Sequence, residues 1–171
     1  ALTAQGFKEI MNNSLTKAGY MDRHFADQAK SKVDILNPLS TDLNAMRQTL
    51  LFGGLESVSR NIRHQHLNCK FYEFGNLYEK NSKGEWPYSE YRSLGIVITG
   101  RWQKQRWNAA AGNATVHHIR GVVRSMLTRF GIKAELLDVQ DKATYAYGME
   151  FRTKDGKLLA NFGSVNGDLL E

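Results

Sequence analysis

Apolar residues in the first half of the chain recur at steps of three and four along one long segment, residues 43–62. This spacing is typical of an amphipathic helix, and its first turn can form a separate element. Gly53 and Gly54 interrupt the segment, and each glycine inside a helix costs about 1 kcal/mol relative to alanine. Because the apolar stripe continues beyond them, we expect an unbroken helix whose glycines let another backbone approach closely. The stripe consists of Leu43, Met46, Leu50, Leu51, Leu55, Val58 and Ile62.

Shorter patterns precede this helix. Residues 7–15 are expected to form a strand and residues 16–25 a helix. Residues 33–36 alternate between apolar and polar side chains, as a half-buried strand does. Asn37 and Pro38 end this strand in a structural turn, because the residue before a proline avoids the helical region and proline cannot donate to a ladder.

An antiparallel hairpin is expected in the middle of the chain. Residues 70–78 are rich in aromatic side chains, which favour a strand. Residues 81–85 have the polar composition of a turn, and residues 92–99 return as a second strand.

The second half continues with one helix and several strands. The period of its apolar residues predicts a helix over residues 115–130, ended by Gly131 in a left-handed conformation. Asp155 and Gly156 form the strongest short-range hairpin signal in the chain. Strands are expected over residues 135–139, 145–153 and 158–165. Helices interspersed among hairpins indicate an antiparallel α+β fold.

Composition narrows the class of protein. The chain has 171 residues, 42% of them apolar and 23% charged, which is typical of one globular domain spanning residues 1–171. Cys69 is the only cysteine, which excludes an internal disulfide and fits a reducing, cytoplasmic compartment. No apolar run approaches the roughly 18 residues that span a bilayer, so no membrane is expected as a partner. The ends at Ala1 and Glu171 lead us to expect a piece of a longer protein.

The net charge of +6 has two interpretations. A basic balance suits polyanionic partners such as nucleic acid, but it also merely keeps a domain soluble, which we favour. Lysines and arginines form no run of five or more, which argues against a phosphate-gripping tail. Residues 101–107 interleave cations with tryptophans, a combination that can stack bases. The favoured interpretation is a solvated loop with Trp107 packed on the body of the domain.

The sequence gives little support to the familiar catalytic and metal-binding motifs. The chain has neither the G-x-x-x-x-G-K loop that cradles phosphates nor the dinucleotide motif G-x-G-x-x-G. His64, His66 and Cys69 are the best metal candidates, since imidazole and thiolate at short spacing can share a zinc ion. No fourth ligand is marked nearby, and a polar helix end leading into a strand is favoured. His117 and His118 point about 100° apart on a helix, so they cannot hold one ion together.

Three blocks of sequence carry a resemblance to a known family. They are N-P-L-S at residues 37–40, M-R-Q-T-L-L-F-G-G-L at residues 46–55 with Asn61 and Arg63 after it, and F-Y-E-F-G-N-L-Y at residues 71–78. In this order they resemble the core of the bacterial phenylalanyl-tRNA synthetase beta subunit, with its pattern N-P-L-S, L-R-x-S-L-L-x-G-L-L, asparagine and F-E-x-G. The opening G-F-K-E-I at residues 6–10 is also similar to that family, and Arg120 stands where the family has lysine.

The resemblance implies a class II aminoacyl-tRNA synthetase-like fold, an antiparallel sheet flanked by helices. It also implies that this module is a catalytic-like but inactive counterpart of the alpha-subunit domain. A catalytic class II site resembles an F-R-x-E strand whose arginine clamps the ATP phosphate with planar, bidentate donors. Tyr72 or Phe74 stands where that arginine would be needed. We therefore expect no catalytic, cofactor-binding or metal-binding residue in this chain.

The family also implies partners and a role. It implies a cytoplasmic heterotetramer of two alpha and two beta subunits, which uses ATP and magnesium to attach phenylalanine to its tRNA, with those sites outside this chain. The helix of the second block packs with its equivalents from alpha, so an architectural role is expected. Arg47 and Arg63 are expected to form charge-assisted bonds across the subunit boundary. The candidate interface residues are Arg47, Leu50, Leu51, Gly53, Gly54, Leu55, Val58, Asn61 and Arg63.

Two other classes of function stay open on sequence grounds. A stand-alone basic nucleic-acid-binding module would bind tRNA with a steep dependence on salt. A small zinc enzyme built on His64, His66 and Cys69 would hold stoichiometric metal. Neither alternative accounts for the ordered match over residues 6–78.

Overall fold

The computed structural model describes residues 2–81, 85–103, 105, 107–108 and 110–170. The chain divides into two units, Ala1–Gly100 and Arg101–Glu171, each with its own sheets and helices. The single domain expected over residues 1–171 stays a prediction. None of the helices in the described ranges is both long and apolar enough to cross a membrane.

The first unit is built on an antiparallel hairpin. β4 and β5 pair in register from Cys69 opposite Thr99 to Lys80 opposite Tyr88, and β1 joins β4 in parallel. The predicted hairpin is therefore confirmed, with longer strands than expected, while residues 82–84 of its predicted turn lie outside the described residues. The elements of this unit are β1 (Lys8–Glu9), β2 (Leu15–Thr16), α1 (Ala18–His24), α2 (Ala26–Ala29), β3 (Ala45–Met46), α3 (Leu51–Arg63), β4 (Cys69–Lys80) and β5 (Tyr88–Thr99).

The hairpin has two distinct faces, since successive side chains of a strand point to opposite sides. Phe71 packs with Val58 and Cys69, so the odd-numbered residues of β4 face helix α3. The even-numbered residues, among them Tyr72 and Phe74, lie on the other side. We call this second side the open face, because Phe74 is 48% exposed there.

Helix α3 is shorter than the apolar stripe predicted. It begins at Leu51 rather than at residue 43, because Ala45 and Met46 pair with Thr16 and Leu15 in a short antiparallel ladder. The helix runs without a break through Gly53 and Gly54, as expected.

The predictions before α3 need correction. Residues 7–15 do not form one strand, and only Lys8–Glu9 and Leu15–Thr16 are extended in ladders. The predicted helix over residues 16–25 begins at Ala18, whose N–H donates to Asn44 Oδ1 at 2.8 Å. Residues 33–36 contribute one isolated bridge, between Asp34 and Ala45, instead of a strand. The side-chain cap and the bridging partner both come from a distant segment, which local patterns cannot reveal.

The second unit packs one helix on a three-stranded antiparallel sheet. Its order is β10-β9-β8, and the core contains Val116 and Val123 of the helix against Phe151 and Phe162 of the sheet. The helix ends before Gly131, whose φ of 69° is left-handed as predicted. The elements are β6 (Arg101–Gln103), β7 (Gly112–Asn113), α4 (Val116–Arg129), β8 (Glu135–Asp138), β9 (Tyr145–Arg152) and β10 (Leu158–Val165).

The segment expected to be a solvated loop is partly a strand. Arg101–Gln103 pairs with Gly112–Asn113 as a two-stranded ribbon, while residues 104 and 106 lie outside the described ones. Trp107 does not pack on the domain, because 98% of it is exposed. Trp102 is the tryptophan that packs, stacked on the His118 ring with 4.4 Å between centroids.

Candidate subunit interface

Helix α3 carries most of the candidate interface residues, and three of its sides are covered by the first unit itself. The first side is closed by aromatic rings. Phe52 is buried, and it stacks on Tyr20 of α1 with 4.5 Å between ring centroids. The Phe25 ring meets it edge-on at 6.0 Å. Tyr20 also donates a hydrogen bond to Glu56 at 2.6 Å, and burial together with that carboxylate raises the pKa of Tyr20 to about 12.

The second side faces the hairpin. A Cβ added at Gly54 would lie 3.8 Å from Val97 Cγ1 of β5, an ordinary van der Waals distance. One turn later, Val58 is buried against Cys69 and Phe71. Gly54 and Val58 therefore belong to the core of this unit, and the space beside Gly54 would also admit a methyl group.

The third side is held by Asn12, from the irregular segment between β1 and β2. A Cβ added at Gly53 would lie 3.2 Å from the Asn12 side chain, so the group that approaches this glycine is a side chain and not a backbone. Ser57 Oγ donates to Asn12 Oδ1 at 2.9 Å, and Asn12 Nδ2 donates to Glu73 Oε2 at 2.8 Å. The missing side chain of Gly53 thus leaves room for the polar side chain of Asn12, which we call the Asn12 wedge.

Arg47 completes this buried polar cluster. Its Nη1 donates to Glu73 Oε1 at 2.6 Å and its Nε donates to the Asn76 carbonyl at 3.0 Å. Glu73 is 3% exposed and Arg47 is 7% exposed. Arg47 is therefore used inside the first unit, where it neutralises a buried carboxylate, and its expected bonds across a subunit boundary stay a prediction.

Leu50 is also used inside the unit. A Cβ added at Gly95 would lie 3.0 Å from Leu50 Cβ, and a Cβ at Gly75 would collide with both Leu50 and the Arg47 guanidinium. The two glycines stand on neighbouring strands. Together they leave a shallow depression on the hairpin, and Leu50, the residue before α3, lies in it.

Two sides of α3 remain. One is polar and exposed, with Glu56 and Arg60, and the other carries an apolar stripe. Leu51, Leu55 and Ile62 lie within about 40° of one another around the helix. Leu51 and Leu55 are half-buried, and Ile62 is 41% exposed. We call these three residues the α3 stripe. Of the other candidates, Asn61 donates to the Ser57 carbonyl of its own helix at 2.8 Å, and Arg63 is exposed at the helix end.

The metal candidates after α3 do not converge. No group of three metal-ligating side chains occurs in the ranges that the structure describes. The Cys69 thiol lies 3.2 Å from the His66 carbonyl, to which it donates, and burial raises the pKa of Cys69. A neutral thiol bonded to the backbone is a structural cysteine, since the thiolate is the form that binds metal.

The open face shows what occupies the place of a phosphate-clamping arginine. Tyr72 lies there with its hydroxyl 3.2 Å from Glu9 Oε2, to which it donates. The Arg92 guanidinium stands over the Phe74 ring at 5.7 Å from its centroid. Glu73 points to the other face, toward Arg47. An aromatic ring therefore stands at each of the two positions, one of which a catalytic class II site would fill with arginine.

Sequence reasoning missed the cluster of Asn12, Arg47 and Glu73. A signal was present, because Glu73 stands between aromatic residues in a strand whose alternation points it to the core. A carboxylate at such a position needs hydrogen-bond donors. Only the fold shows that Asn12 and Arg47 supply them.

Comparison with known proteins places the chain in a family. A family model described as the phenylalanyl tRNA synthetase beta chain CLM domain matches residues 1–171. A phenylalanine–tRNA ligase beta subunit of Bacteroides fragilis is 42% identical over 99% of this chain, and one of Porphyromonas gingivalis is 39% identical over the same share. The chain spans 22% of the length of each of these relatives.

A solved structure is similar to the whole fold. The pyrrolysyl tRNA synthetase PylSc of Desulfitobacterium hafniense superposes with a TM-score of 0.68 over 94% of this chain and 51% of that chain, at 16% identity. A likeness at this identity shows the fold alone, and it confirms the predicted class II synthetase-like α+β fold. Together, the matching family model and the relatives that cover the chain from end to end show that it belongs to the phenylalanyl tRNA synthetase beta chain CLM domain family.

Proposed function

We propose that this chain is an architectural domain of a phenylalanine–tRNA ligase beta subunit, and that it pairs with the alpha subunit, which performs the ATP-dependent attachment of phenylalanine to tRNA. The observation that carries the proposal is the α3 stripe. Leu51, Leu55 and Ile62 form an apolar strip on a helix whose other large apolar residues, Phe52 and Val58, pack inside their own unit. A partner helix packing along this strip would bury it.

The proposal includes catalytic inactivity of this domain. Phosphoryl chemistry requires donors aimed at oxygens that gain negative charge in the transition state. On the open face, Tyr72 and Phe74 offer rings at the positions in question, and the nearby Arg92 is placed over Phe74. In this proposal, ATP and magnesium are bound by the alpha subunit, and tRNA is brought in by the parent complex.

The interface is tested by adding a carboxylate to the stripe. Leu51→Asp and Leu55→Asp are made in the full-length beta subunit, which is co-expressed with alpha, and the mass of the complex is measured by light scattering. Each variant is expected to weaken association by about 100-fold or more, because a carboxylate buried without a partner costs several kcal/mol.

Arg60→Asp is the matched control, because it places the same carboxylate on an exposed position on the far side of α3 from the stripe. This control is expected to assemble like the unmodified subunit. Thermal melting of each purified subunit separates loss of association from loss of folding. Complex formation by well-folded Leu51→Asp and Leu55→Asp variants would contradict the proposed interface.

A further inference from the structure

The net positive charge of the chain lies in one segment. Residues 101–134 contain seven lysines and arginines and no aspartate or glutamate, whereas the rest of the chain has sixteen cations against seventeen carboxylates. The entire net charge of +6 therefore arises from this segment. We call it the basic segment. Its cations are Arg101, Lys104, Arg106, Arg120, Arg124, Arg129 and Lys133.

Helix α4 carries part of this charge on its arginines. Arg120 and Arg124 are one turn apart along one flank of the helix, beside the apolar side that packs on the sheet. Arg124 is exposed and Arg120 is half-buried. Within the described residues neither arginine has a carboxylate partner, whereas Arg47 and Arg152 each pair with a buried glutamate at 2.6 Å. The first turn of α4 has no acidic residue to offset the positive end of the helix dipole.

The basic segment also contains two indoles with different roles. Trp102 stacks on His118, which brings β6 and its exposed Arg101 next to the first turn of α4. Trp107 is 98% exposed. An indole left in solvent suits a flat partner, since bases stack on aromatic side chains while arginines neutralise phosphates.

We propose that the described part of the basic segment is an RNA-binding surface, with Arg120 and Arg124 contacting phosphates and Trp107 stacking on a base. RNA is favoured over an acidic protein surface because the segment also carries an exposed aromatic ring, and because arginine forks match phosphate oxygens bidentately. This binding is separate from the pairing of α3 with alpha, and it does not depend on it.

The test uses the full-length subunit that carries this domain, assembled with alpha, and a fluorescent single-stranded RNA of about 12 nucleotides. Fluorescence anisotropy gives the affinity at several potassium chloride concentrations. Arg120→Gln/Arg124→Gln is expected to weaken binding about fivefold or more. It is also expected to flatten the slope of log K against log salt by about 1.4, because each phosphate contact on a single strand contributes about 0.7.

Trp107→Ala is expected to weaken binding with an unchanged salt slope, because stacking releases no counterions. The matched control is Arg23→Gln/Arg60→Gln, which removes two exposed arginines from the first unit and is expected to leave affinity and slope unaltered. An unchanged slope in the α4 double variant overturns the proposal, as does an equal loss in the control pair. Loss of a protein partner from the α4 variant with RNA binding intact would overturn it in favour of an acidic protein.

Discussion

The Glu73 carboxylate lies in the middle of β4, and three donors from two residues stabilise it there. Arg47 supplies the charge, Asn12 donates from its side chain at 2.8 Å, and the Asn12 backbone N–H donates at 3.1 Å. These bonds connect three parts of the first unit: the segment before β2, the residues before α3 and the hairpin of β4 and β5. A buried ion pair is a modest source of net stability when complete, but it is costly when half of it is removed.

Removal of one charge from this cluster is expected to be strongly destabilising. Glu73→Gln leaves the Arg47 guanidinium buried without a counter-charge, so the free energy of unfolding is expected to fall by about 3 kcal/mol or more. Urea denaturation measures this value. Lys30→Gln breaks the exposed pair with Asp27 and serves as the control, with an expected change within about 0.5 kcal/mol. A Glu73→Gln loss as small as that of the control would contradict the role assigned to the cluster.

At the scale of elements, α3 explains why two adjacent glycines are not equivalent. Gly53 faces the Asn12 wedge at 3.2 Å, and Gly54 faces Val97 at 3.8 Å. Both have ordinary helical backbone conformations, so neither is needed for a left-handed turn. The space around each position decides what a methyl group would do there.

Two alanine substitutions are therefore expected to differ in sign. Gly54→Ala adds a methyl group at van der Waals distance and gains helix propensity, so it should stabilise the fold by about 0.5–1 kcal/mol. Gly53→Ala pushes Asn12 away from Glu73, and the lost hydrogen bonds should outweigh the same gain in propensity. Thermal melting of the two variants side by side gives the comparison. A Gly53→Ala variant at least as stable as Gly54→Ala would show that Asn12 is not a fixed wedge.

At the scale of the whole molecule, the surfaces differ in chemical character. The α3 stripe is apolar, the open face carries Tyr72 and Phe74, and the basic segment carries the net charge. The proposed architectural role predicts that substitutions on the open face leave catalysis unaffected. Groups that touch no reacting atom contribute nothing to transition-state stabilisation.

Phe74→Ala tests this division in the assembled complex. Phe74 is 48% exposed, so its truncation should leave folding intact. Aminoacylation by the complex is expected to keep kcat and the KM for ATP within about twofold of the unmodified enzyme. Leu55→Asp in the same assay is the contrasting variant, and its activity should fall together with assembly. A large loss of kcat in Phe74→Ala with an intact complex would show that the open face takes part in the chemistry.

Regular patterns made much of the fold predictable. The hairpin of β4 and β5, the helix α4 with Gly131 after it, and the turn at Gly156 follow from alternation, period and turn chemistry. These features depend on residues close together in sequence. The early segments were mispredicted because their partners are distant: Met46 joins Leu15 in a ladder, and Asn44 caps α1.

The same distinction between nearby and distant residues applies to the candidate site. The sequence by itself determined the family, the antiparallel α+β class and the helix that carries Leu51 and Leu55, because these depend on local order and spacing. Only the tertiary structure decided which side of that helix is left apolar and open. It placed Arg47 on Glu73 and Gly53 against Asn12. The reason is physical: burial and charge pairing are properties of contacts between distant segments, and a linear pattern does not contain those contacts.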